Sequence, residues 1–533
     1  MEKALKMGRV SATGSFHMFI GVATSTIIMA VGTIIMARIL LPEEYGLYSV
    51  ALTPSLMIGL FRDWGMGAAM TKYVAHFRAA NKESDIRGIV AAGIMFEVST
   101  GLVLSFVSLF LASFIATTVF HRQQSTDLIS IASITILAGS LLTASQSSFI
   151  GFERMGLNSF TIICQAIAKT AISPLLVLLG YGALGAVLGY TFSFIAAGVI
   201  GLTMLYFLLF RNLRKTGNNR ISLSETLKTM LRYGVPLSIS SIVLGFLAQF
   251  YGFMMASFCS DSMIGNYKVA AQFSVLLSFF TIPIATVLFP AFAKLDPQKE
   301  HRLLKTVFTS SVKYTAILLV PATMAIMVLS KPMISTLFGD KWVYAPIFLA
   351  LSIISNLLVI FGSLVSGNLL TGLGETKMLM KLGILTLSLG VPLAFLLIPT
   401  LGITGVILGI IFAGIPSTFY GLYWIWKKYD VKADFKSSAR IFLASGIAAI
   451  TTYTLLNFVI LAEWIRLIIG LVIFLATYIF TAPMVEAITQ SDIDNLRTML
   501  SGLGVISKIT NFILILPEKI SNLRTHTKKN TQS

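Results

Sequence analysis

The sequence predicts an all-α integral membrane protein with 14 transmembrane helices, built as two six-helix repeats (V-shaped lobes) and two extra C-terminal helices. Composition is the first reason: 56% of the 533 residues are hydrophobic, 12% are charged, and the mean hydropathy is +0.85. The second reason is the length of the apolar runs, and the third is a pattern that recurs after about 220 residues. A water-soluble surface needs more charge than this chain carries.

Each predicted helix is an apolar run long enough to cross a bilayer core, which takes about 20 residues for roughly 30 Å. Membrane β-strands are disfavoured because they give segments of about ten residues that alternate in polarity. The spans leave no room for a large soluble domain, which disfavours membrane glycosyltransferases and ATP-driven pumps. The predicted spans are 14–37, 46–70, 88–117, 128–150, 157–179, 183–210, 232–258, 266–290, 309–330, 344–368, 379–398, 402–425, 441–460 and 465–484.

Positive charge is distributed unevenly between the loops. The net charge is +18, and Lys and Arg concentrate in alternate loops, above all between Arg211 and Arg232. By the positive-inside rule these loops are cytoplasmic, so we expect a multi-pass protein of the cell (plasma) membrane with both termini in the cytoplasm. We interpret the net charge as attraction to anionic lipid rather than to nucleic acid. Cys164 and Cys259 lie far apart and imply no disulfide framework.

An internal repeat divides the chain. Residues 45–51 (YGLYSVA) align with 264–270 (IGNYKVA), and 182–189 (GALGAVLG) align with 402–409 (GITGVILG), at nearly the same spacing. Because each repeat holds an even number of helices, the two lobes should share one orientation about a pseudo-twofold axis along the membrane normal. The predicted domains are the N-terminal lobe 1–210, a cytoplasmic linker 211–231, the C-terminal lobe 232–425, helices 13 and 14 at 426–484, and a cytoplasmic tail 485–533.

The tail has its own pattern. Its apolar stretch at 504–516 predicts either an amphipathic helix on the membrane surface or a helix that packs on the cytoplasmic loops.

Four ionisable residues fall inside predicted spans of the first lobe: Arg62, Asp63, Glu97 and Lys169. An ionised group at mid-bilayer costs at least roughly 2.5–3.5 kcal/mol on insertion scales, so each needs a partner or a wet cavity. Lys169 belongs to a polar stripe at helical spacing, with Thr161, Gln165 and Ser173, which predicts a water-lined face. Glycines near Asp63 and Glu97 predict that both carboxyls face the helix bundle.

Two interpretations of these charges stay open. The four side chains either pair with one another as a structural polar core, or at least one cation lines a substrate cavity. The second lobe offers Gln272, Ser352 and Asn356, for which interhelical hydrogen bonds are the alternative role. No group of His, Cys, Asp and Glu has metal-ligand spacing, and no nucleophile, base and acid come together in the pattern, so we expect neither an enzyme nor a cofactor.

The run from Ala37 to Ala51, followed by Asp63-Trp-Gly65 and by residues 69–75 (AMTKYVA), resembles the opening of polysaccharide-export flippases. These form a branch of the multidrug/oligosaccharidyl-lipid/polysaccharide (MOP) exporter superfamily. The glycine-rich starts of helices 6 and 12 are also similar to these flippases, and so are residues 372–377 (GLGETK). The resemblance covers the twelve-helix core and leaves the tail unexplained.

The resemblance implies two lobes around a cavity that opens to one side of the membrane at a time. Its cargo would be a polyprenyl phosphate or pyrophosphate that carries a sugar chain, and glycosyltransferases or a polymerase of the same pathway would be partners. From the motif we carry over Arg38, Asp63 and Lys72. Arg38 would meet phosphate on release, or else snorkel to the membrane interface. Lys268 stands at the repeat position of Ser49, with the same two alternatives.

Three functions follow from this sequence. The first is flipping of a lipid-linked oligosaccharide from the cytoplasmic to the outer leaflet by alternating access, with phosphate and sugars held by Arg62, Lys169, Gln165, Arg38, Lys268, Gln272 and Asn356. The second is cation-coupled multidrug export within the same superfamily. The third is a membrane-embedded sugar-chain polymerase, which the short outer loops disfavour. We also hypothesise that Asp63 and Glu97 couple transport to H⁺ or Na⁺.

Overall fold

The fold was analysed in a computed structural model that describes residues 2–213, 222–458, 460–500 and 517–519. All regular secondary structure in these ranges is helical, which confirms the predicted all-α class. Two predicted segments lie outside the described residues. They are the apolar tail segment at 504–516, for which we predicted a helix, and residues 214–221 of the linker.

The helices follow one another with short connections. A π-helical segment extends each of α4, α6 and α7, at Ile115–Val119, Val177–Tyr181 and Leu205–Phe210, and 3₁₀ turns occupy Gln123–Ser125 and Ile354–Phe361. The α-helices are α1 (Glu2–Ile39), α2 (Pro42–Gly59), α3 (Met66–Ala79), α4 (Glu83–Phe114), α5 (Thr126–Gly151), α6 (Met155–Leu176), α7 (Gly182–Met204), α8 (Leu223–Phe258), α9 (Asp261–Gln272), α10 (Ser274–Ala293), α11 (His301–Val328), α12 (Ser330–Phe338), α13 (Ala345–Ile353), α14 (Ser363–Gly372), α15 (Thr376–Leu401), α16 (Ile403–Tyr429), α17 (Phe435–Asn457), α18 (Glu463–Met484) and α19 (Gln490–Leu500).

Many of these helices are long and apolar enough to cross a membrane. Within the described ranges there are nine such helical stretches, or up to 11 when two bent pairs each count as one span. One of the nine, Met155–Phe210, contains both α6 and α7, which are separated at Gly180 with φ 91°. The chain is therefore a multi-pass membrane protein, while the number of 14 spans stays a prediction.

The predicted second span, 46–70, is not one continuous helix. Its chain leaves the helical conformation between α2 and α3, where Trp64 has φ 47° and Gly65 has φ 75°. Both values lie in the left-handed region that ends helices. Hydrophobicity alone hides this break, because the flanking sequence stays apolar on both sides. The consequence is that Arg62 and Asp63 lie in a connection between helices, not on a helix face as the sequence suggested.

Two predicted spans of the second repeat are also interrupted. The span 344–368 consists of α13, the 3₁₀ turn and α14, and it bends by 60° at Gly362, where φ is 93°. The span 266–290 consists of α9 and α10, which meet at Phe273. A hydropathy pattern averages over such breaks because the residues on either side of them stay apolar.

The chain divides into two compact units. Unit 1 is Met1–Gly265 with Val391–Val406, and unit 2 is Asn266–Gly390 with Ile407–Ser533. In unit 1, α6 packs between α1 and α7, and α5 packs against α4 and α7. The domain boundaries predicted from the sequence stay a prediction.

Each unit has its own buried hydrophobic cluster. In unit 1, Met66, Met70 and Val74 of α3 pack with buried residues of α4, α5 and α8. In unit 2, Phe292 and Phe308 pack with buried residues of α14 and α16. These clusters hold in place the helices that carry the polar side chains described next.

Candidate functional site

The connection between α2 and α3 presents Asp63 to the start of α3. One carboxylate oxygen of Asp63 accepts the backbone N–H of Gly67 at 2.7 Å, and its carbonyl accepts the N–H of Met66 at 2.8 Å. The first N–H groups of a helix have no partner within the helix, so Asp63 supplies one. The proximity of Asp63 and Gly67 that the sequence predicted is real, but it arises from this capping contact.

Arg62 forms an ion pair with Glu97 of α4. The guanidinium Nε lies 3.5 Å from Oε2 of Glu97, and Nη2 donates to the hydroxyl of Thr143 on α5 at 2.7 Å. The Glu97 side chain is 0% exposed and that of Arg62 is 18% exposed. A Cβ on Gly139 would lie 2.5 Å from Nη1 of Arg62, so the glycine makes room for the guanidinium. The structure thus pairs Arg62 with Glu97, two of the four charges singled out in the sequence.

The buried polar group holds more acid than base. Asp63 is close enough to interact electrostatically with Glu97, so the group contains two carboxyls and one guanidinium, of which Glu97 pairs with Arg62. Neither carboxylate oxygen of Glu97 has a hydrogen-bond partner among the described residues. If both acids are ionised, the group carries one excess negative charge in a place where an uncompensated charge is costly. A proton or a small cation would balance it.

Lys169 lies on α6 in a different environment. Its ammonium lies 5.1 Å from the centre of the Tyr190 ring, a cation–π distance. In the described part of the chain it has neither an ion pair nor a hydrogen bond. The side chain is half-buried. Lys169 is therefore a membrane-embedded cation without a protein counter-ion in the described ranges, whereas the charge of Arg62 is offset by Glu97.

The polar stripe on α6 is only partly accessible. Thr161 and Ser173, at its ends, are buried with 0% and 3% exposure, and Thr161 receives a long hydrogen bond from Gln146 of α5 at 3.4 Å. Gln165 and Lys169, in the middle, are half-buried. The part of the stripe that a ligand can reach is thus the pair Gln165 and Lys169.

The remaining predicted site residues are spread over both units. Arg38 is in the last turn of α1 and is exposed. Lys72 of α3 lies with its ammonium 3.7 Å from the ring centre of Tyr233.

Three others belong to unit 2. Lys268 is half-buried on α9, and Gln272 is exposed at the end of the same helix. Asn356 lies in the 3₁₀ turn after α13 and donates to the Ile353 carbonyl at 3.3 Å. The Asn356 contact is local to its own turn and is not the interhelical hydrogen bond that the alternative role requires. None of these positions tests a role in binding.

Sequence reasoning missed an ion pair in unit 1. The Nε of Arg122, just before α5, lies 2.7 Å from Oδ1 of Asp261, the first residue of α9. The same guanidinium donates to the carbonyls of Ala256 and Cys259 at the end of α8. Burial raises the pKa of the Asp261 carboxyl, while Arg122 beside it acts in the opposite direction. A signal was present: an isolated Arg and an isolated Asp in short loops that are otherwise poor in charge.

A close backbone contact lies next to this pair. A Cβ on Gly46 of α2 would collide with the carbonyl of Asp261, and a Cβ on Gly265 of α9 would collide with the carbonyl of Pro42. The contact is reciprocal, since Gly46 and Gly265 occupy equivalent positions of the sequence repeat. We call these two glycines and the two carbonyls the glycine seam. Small residues let backbones approach in this way within membranes.

Comparison with known proteins gives consistent matches. The family model described as "Polysaccharide biosynthesis protein" matches residues 11–296. The chain is 24% identical over 412 residues to the lipopolysaccharide biosynthesis protein WzxC of Escherichia coli strain K12, which covers 75% of this chain and 78% of that protein.

Two solved structures are similar in fold. The lipid II flippase MurJ in its inward closed conformation has a TM-score of 0.70 at 15% identity, covering 88% of this chain and 98% of that chain. An inward-facing multidrug resistance transporter of the MATE family, in the MOP superfamily, has a TM-score of 0.63 at 16% identity, covering 78% and 98%. At these identities the likeness concerns the fold.

Proposed function

The chain belongs to the polysaccharide biosynthesis protein family of the MOP exporter superfamily, and from that membership we propose that it flips a polyprenyl phosphate or pyrophosphate carrying an oligosaccharide from the cytoplasmic to the outer leaflet. The similarity to a lipopolysaccharide biosynthesis protein supports this class of cargo. Glycosyltransferases or a polymerase of the same pathway are the partners we propose, and the chain itself would transport without catalysing a reaction.

Lys169 is the observation that carries this proposal. A lipid-linked phosphate needs a cation that is not already neutralised by the protein, and Lys169 has no acidic partner in the described ranges. Charge-assisted hydrogen bonds to phosphate are strong in a poorly hydrated site. Arg62 is a weaker candidate for direct phosphate contact because Glu97 already pairs with it. Lys169 would therefore receive the phosphate, with Gln165 beside it on the same helix.

Replacing Lys169 tests the proposal. In cells that depend on this protein for export of a surface glycan, Lys169→Ala should reduce export by more than about tenfold, because one charge-assisted contact is lost. Lipid-linked glycan should then accumulate in the inner leaflet. Lys169→Arg keeps the charge and should retain most of the activity. Lys82→Ala, at an exposed position before α4, is the matched control. Normal export by the Lys169→Ala variant, at equal amounts in the membrane, would refute the assignment.

We further propose that Asp63 and Glu97 couple transport to H⁺ or Na⁺. The support is the excess of acid over base around Arg62, which a proton or a monovalent cation would balance. Vesicles with an imposed pH or sodium gradient provide the test, with Glu97→Gln and Asp63→Asn as the variants. Transport by these variants should lose its dependence on the gradient. Asp127→Asn, exposed at the start of α5, is the control and should keep that dependence. Unchanged gradient dependence in both test variants would exclude coupling at this group.

The finer topology is also a proposal. It comprises fourteen spans with both termini in the cytoplasm, two lobes at 1–210 and 232–425 joined by the 211–231 linker, and additional parts at 426–484 and 485–533. Its support is the alternation of basic loops with loops poor in charge. In a variant lacking Cys164 and Cys259, a membrane-impermeant thiol reagent applied outside cells should label Gln124→Cys and leave Lys299→Cys unlabelled. The reverse labelling would invert the proposed orientation.

Cation-coupled drug export is the second candidate. The carboxyls Asp63 and Glu97 favour it, since such a pair suits exchange of a cation against a cargo. The unpaired ammonium of Lys169 favours an anionic cargo instead, which is why we rank flipping first. Export of cationic dyes from cells, lost in Glu97→Gln, would reverse this order.

A further inference from the structure

A row of aromatic rings begins beside the Lys169 ammonium in unit 1. Tyr190 of α7 lies with its ring centre 5.1 Å from that ammonium and 6.3 Å from the ring centre of Tyr48 on α2, in an edge-to-face arrangement. Phe194, one turn further along α7, lies 5.1 Å from Tyr190, and Tyr45 lies 5.9 Å from Tyr48. Two helices that are far apart in sequence thus place a continuous row of rings beside one cation.

Backbone packing explains why Tyr190 reaches Lys169. A Cβ on Gly189 would lie 2.5 Å from the Cα of Ser173, so α7 touches the backbone of α6 at this point. Lys169 precedes Ser173 by one helical turn, and Tyr190 follows Gly189 directly. The close approach of the two helices therefore fixes the ring next to the ammonium. A hydrogen bond between Lys169 and Tyr190 is not needed to hold this arrangement.

The rings divide into a support and an accessible surface. Tyr45 is buried at 5% exposure and backs the row, while Tyr48 and Tyr190 are half-buried. The hydroxyl groups of Tyr48 and Tyr190 make no hydrogen bond within the described parts of the chain, although buried tyrosines usually find a partner. Two phenol groups and one ammonium thus offer unused hydrogen-bonding capacity at one place.

We propose that Tyr48 and Tyr190 form a subsite for the first sugar of the cargo, next to a phosphate held by Lys169; this inference rests on the proposed function. The first sugar is bonded directly to the phosphate, so a phosphate at Lys169 places that sugar within reach of the neighbouring rings. A pyranose ring has C–H groups on its faces and hydroxyls at its edge. The faces of the sugar pack on aromatic rings. The hydroxyls at its edge donate hydrogen bonds to phenol oxygens and accept them from phenol O–H groups.

The subsite makes a prediction that separates sugar recognition from phosphate recognition. Variants with Leu at the tyrosine positions lose the ring but keep an apolar side chain, whereas variants with Phe keep the ring. Lys169→Ala removes the phosphate contact and leaves the rings. Two ligands complete the design: polyprenyl pyrophosphate without sugar, and the same polyprenyl pyrophosphate carrying a disaccharide.

The experiment measures the Kd of both ligands for the purified full-length protein in lipid nanodiscs. Tyr190→Leu and Tyr48→Leu should each weaken binding of the disaccharide ligand by about 5- to 10-fold and leave the sugar-free ligand within about twofold. Tyr190→Phe should bind both ligands within about threefold of the original protein, because it loses only the phenol contact. Lys169→Ala should weaken both ligands. The matched control is Tyr206→Leu, at an exposed tyrosine in the π-helical segment after α7, which should change neither Kd.

The outcomes distinguish the subsite from the function on which it rests. Equal weakening of both ligands by the Leu variants, or no weakening of either, would overturn the sugar subsite. Melting temperatures of the Leu variants and of Tyr190→Phe identify any loss that comes from misfolding. Tyr190→Phe keeps the ring and its packing. If it weakens binding of the disaccharide ligand as severely as Tyr190→Leu does, the sugar subsite is likewise overturned. If the unmodified protein binds neither ligand, the proposed function itself fails.

Discussion

A single buried carboxylate determines what happens when Arg62 is changed. Arg62→Ala would leave Glu97 charged and fully buried, and removal of one partner of a buried ion pair typically costs about 3–5 kcal/mol. We expect a clearly lower melting temperature for the purified variant. The double variant Arg62→Ala/Glu97→Gln removes both charges and should be more stable than Arg62→Ala alone. Thermal unfolding checks both, and purely additive losses would contradict the pairing.

The sequence identified the charged residues correctly as a set but not their relations. Their positions within apolar runs made Arg62, Glu97 and Lys169 conspicuous, and pairing among them was one of the two interpretations. Which of them pair depends on how α4 and α5 approach the connection at Arg62, where Gly139 makes room for the guanidinium. Arg62 and Thr143, which this approach brings together, lie 81 residues apart in the sequence. Helical periodicity does not encode contacts over such a distance.

The start of α17 shows how one side chain stabilises a helix. Asp434 accepts the backbone N–H groups of Lys436 and Ser437 at 3.1 and 3.3 Å. Loss of such a cap typically costs about 0.5–2 kcal/mol. Asp434→Ala should therefore lower the melting temperature, whereas Asp434→Asn, which also caps well, should have a smaller effect. Equal melting temperatures for Asp434→Ala and the unmodified protein would contradict a capping role.

The same cap has a defined pH dependence. The Ser437 hydroxyl, which donates to Asp434 at 2.5 Å, holds the pKa of that carboxyl below its ordinary value. Because the pKa is lower in the folded than in the unfolded protein, the carboxylate stabilises the fold above about pH 4. Its contribution disappears as the pH falls through the lowered pKa. Below about pH 4, the melting temperature of Asp434→Asn should therefore fall less steeply with decreasing pH than that of the unmodified protein. An identical dependence of the melting temperature on pH in both proteins would argue against this assignment.

The contact between α6 and α7 depends on the absence of a side chain. In Gly189→Val the new Cβ would collide with the backbone of Ser173, so the helices must separate and Tyr190 must move away from Lys169. We expect lower stability and a loss of transport comparable to that of Lys169→Ala. Gly88→Ala in α4 is the control, because a Cβ there meets nothing within 4 Å. Stability and transport assays check both, and normal behaviour of Gly189→Val would show that the contact is not required.

Helices were predictable where one apolar run forms one helix. The predicted span 128–150 corresponds closely to α5, and 183–210 corresponds to α7 with its π-helical extension. Other helices extend beyond the apolar run: α11 begins at His301, eight residues before the predicted 309, because a helix continues into polar sequence outside the lipid. The break at Trp64 was not predictable, since a non-glycine residue with positive φ leaves no mark in hydropathy.

At the level of the whole molecule, the ion pair Arg122–Asp261 joins the first predicted repeat to the second. Both residues belong to unit 1, so the pair fixes the end of α8 and the start of α9 beside the connection that precedes α5. Arg122→Ala and Asp261→Ala should each reduce transport, because the ion pair is lost and Arg122→Ala also removes the hydrogen bonds to the Ala256 and Cys259 carbonyls. Asp261→Asn keeps an oxygen that can accept from the guanidinium and should retain more transport than Asp261→Ala. Normal transport by Asp261→Ala, at equal amounts in the membrane, would show that the pair is not required.

The general class of the protein followed from its sequence, whereas the long-range pairs did not. Apolar composition and the motif from Ala37 to Ala51 led to the membrane class and to the family resemblance, both of which the comparisons confirm. Arg122 and Asp261 lie 139 residues apart, and only tertiary structure brings them together. The repeat nevertheless contained a hint, because it aligned Gly46 with Gly265, the two glycines that meet in the glycine seam.

The glycine seam has a consequence for reversibility. When two helices pack through long side chains, each closure fixes the rotamers of those side chains, and their conformational entropy is lost again in every cycle. Gly46 and Gly265 have no side-chain rotamers, so any separation and return of their backbones during transport would occur without that loss. A contact of this kind fixes the point where the two helices meet, and it would add little free-energy cost to their separation.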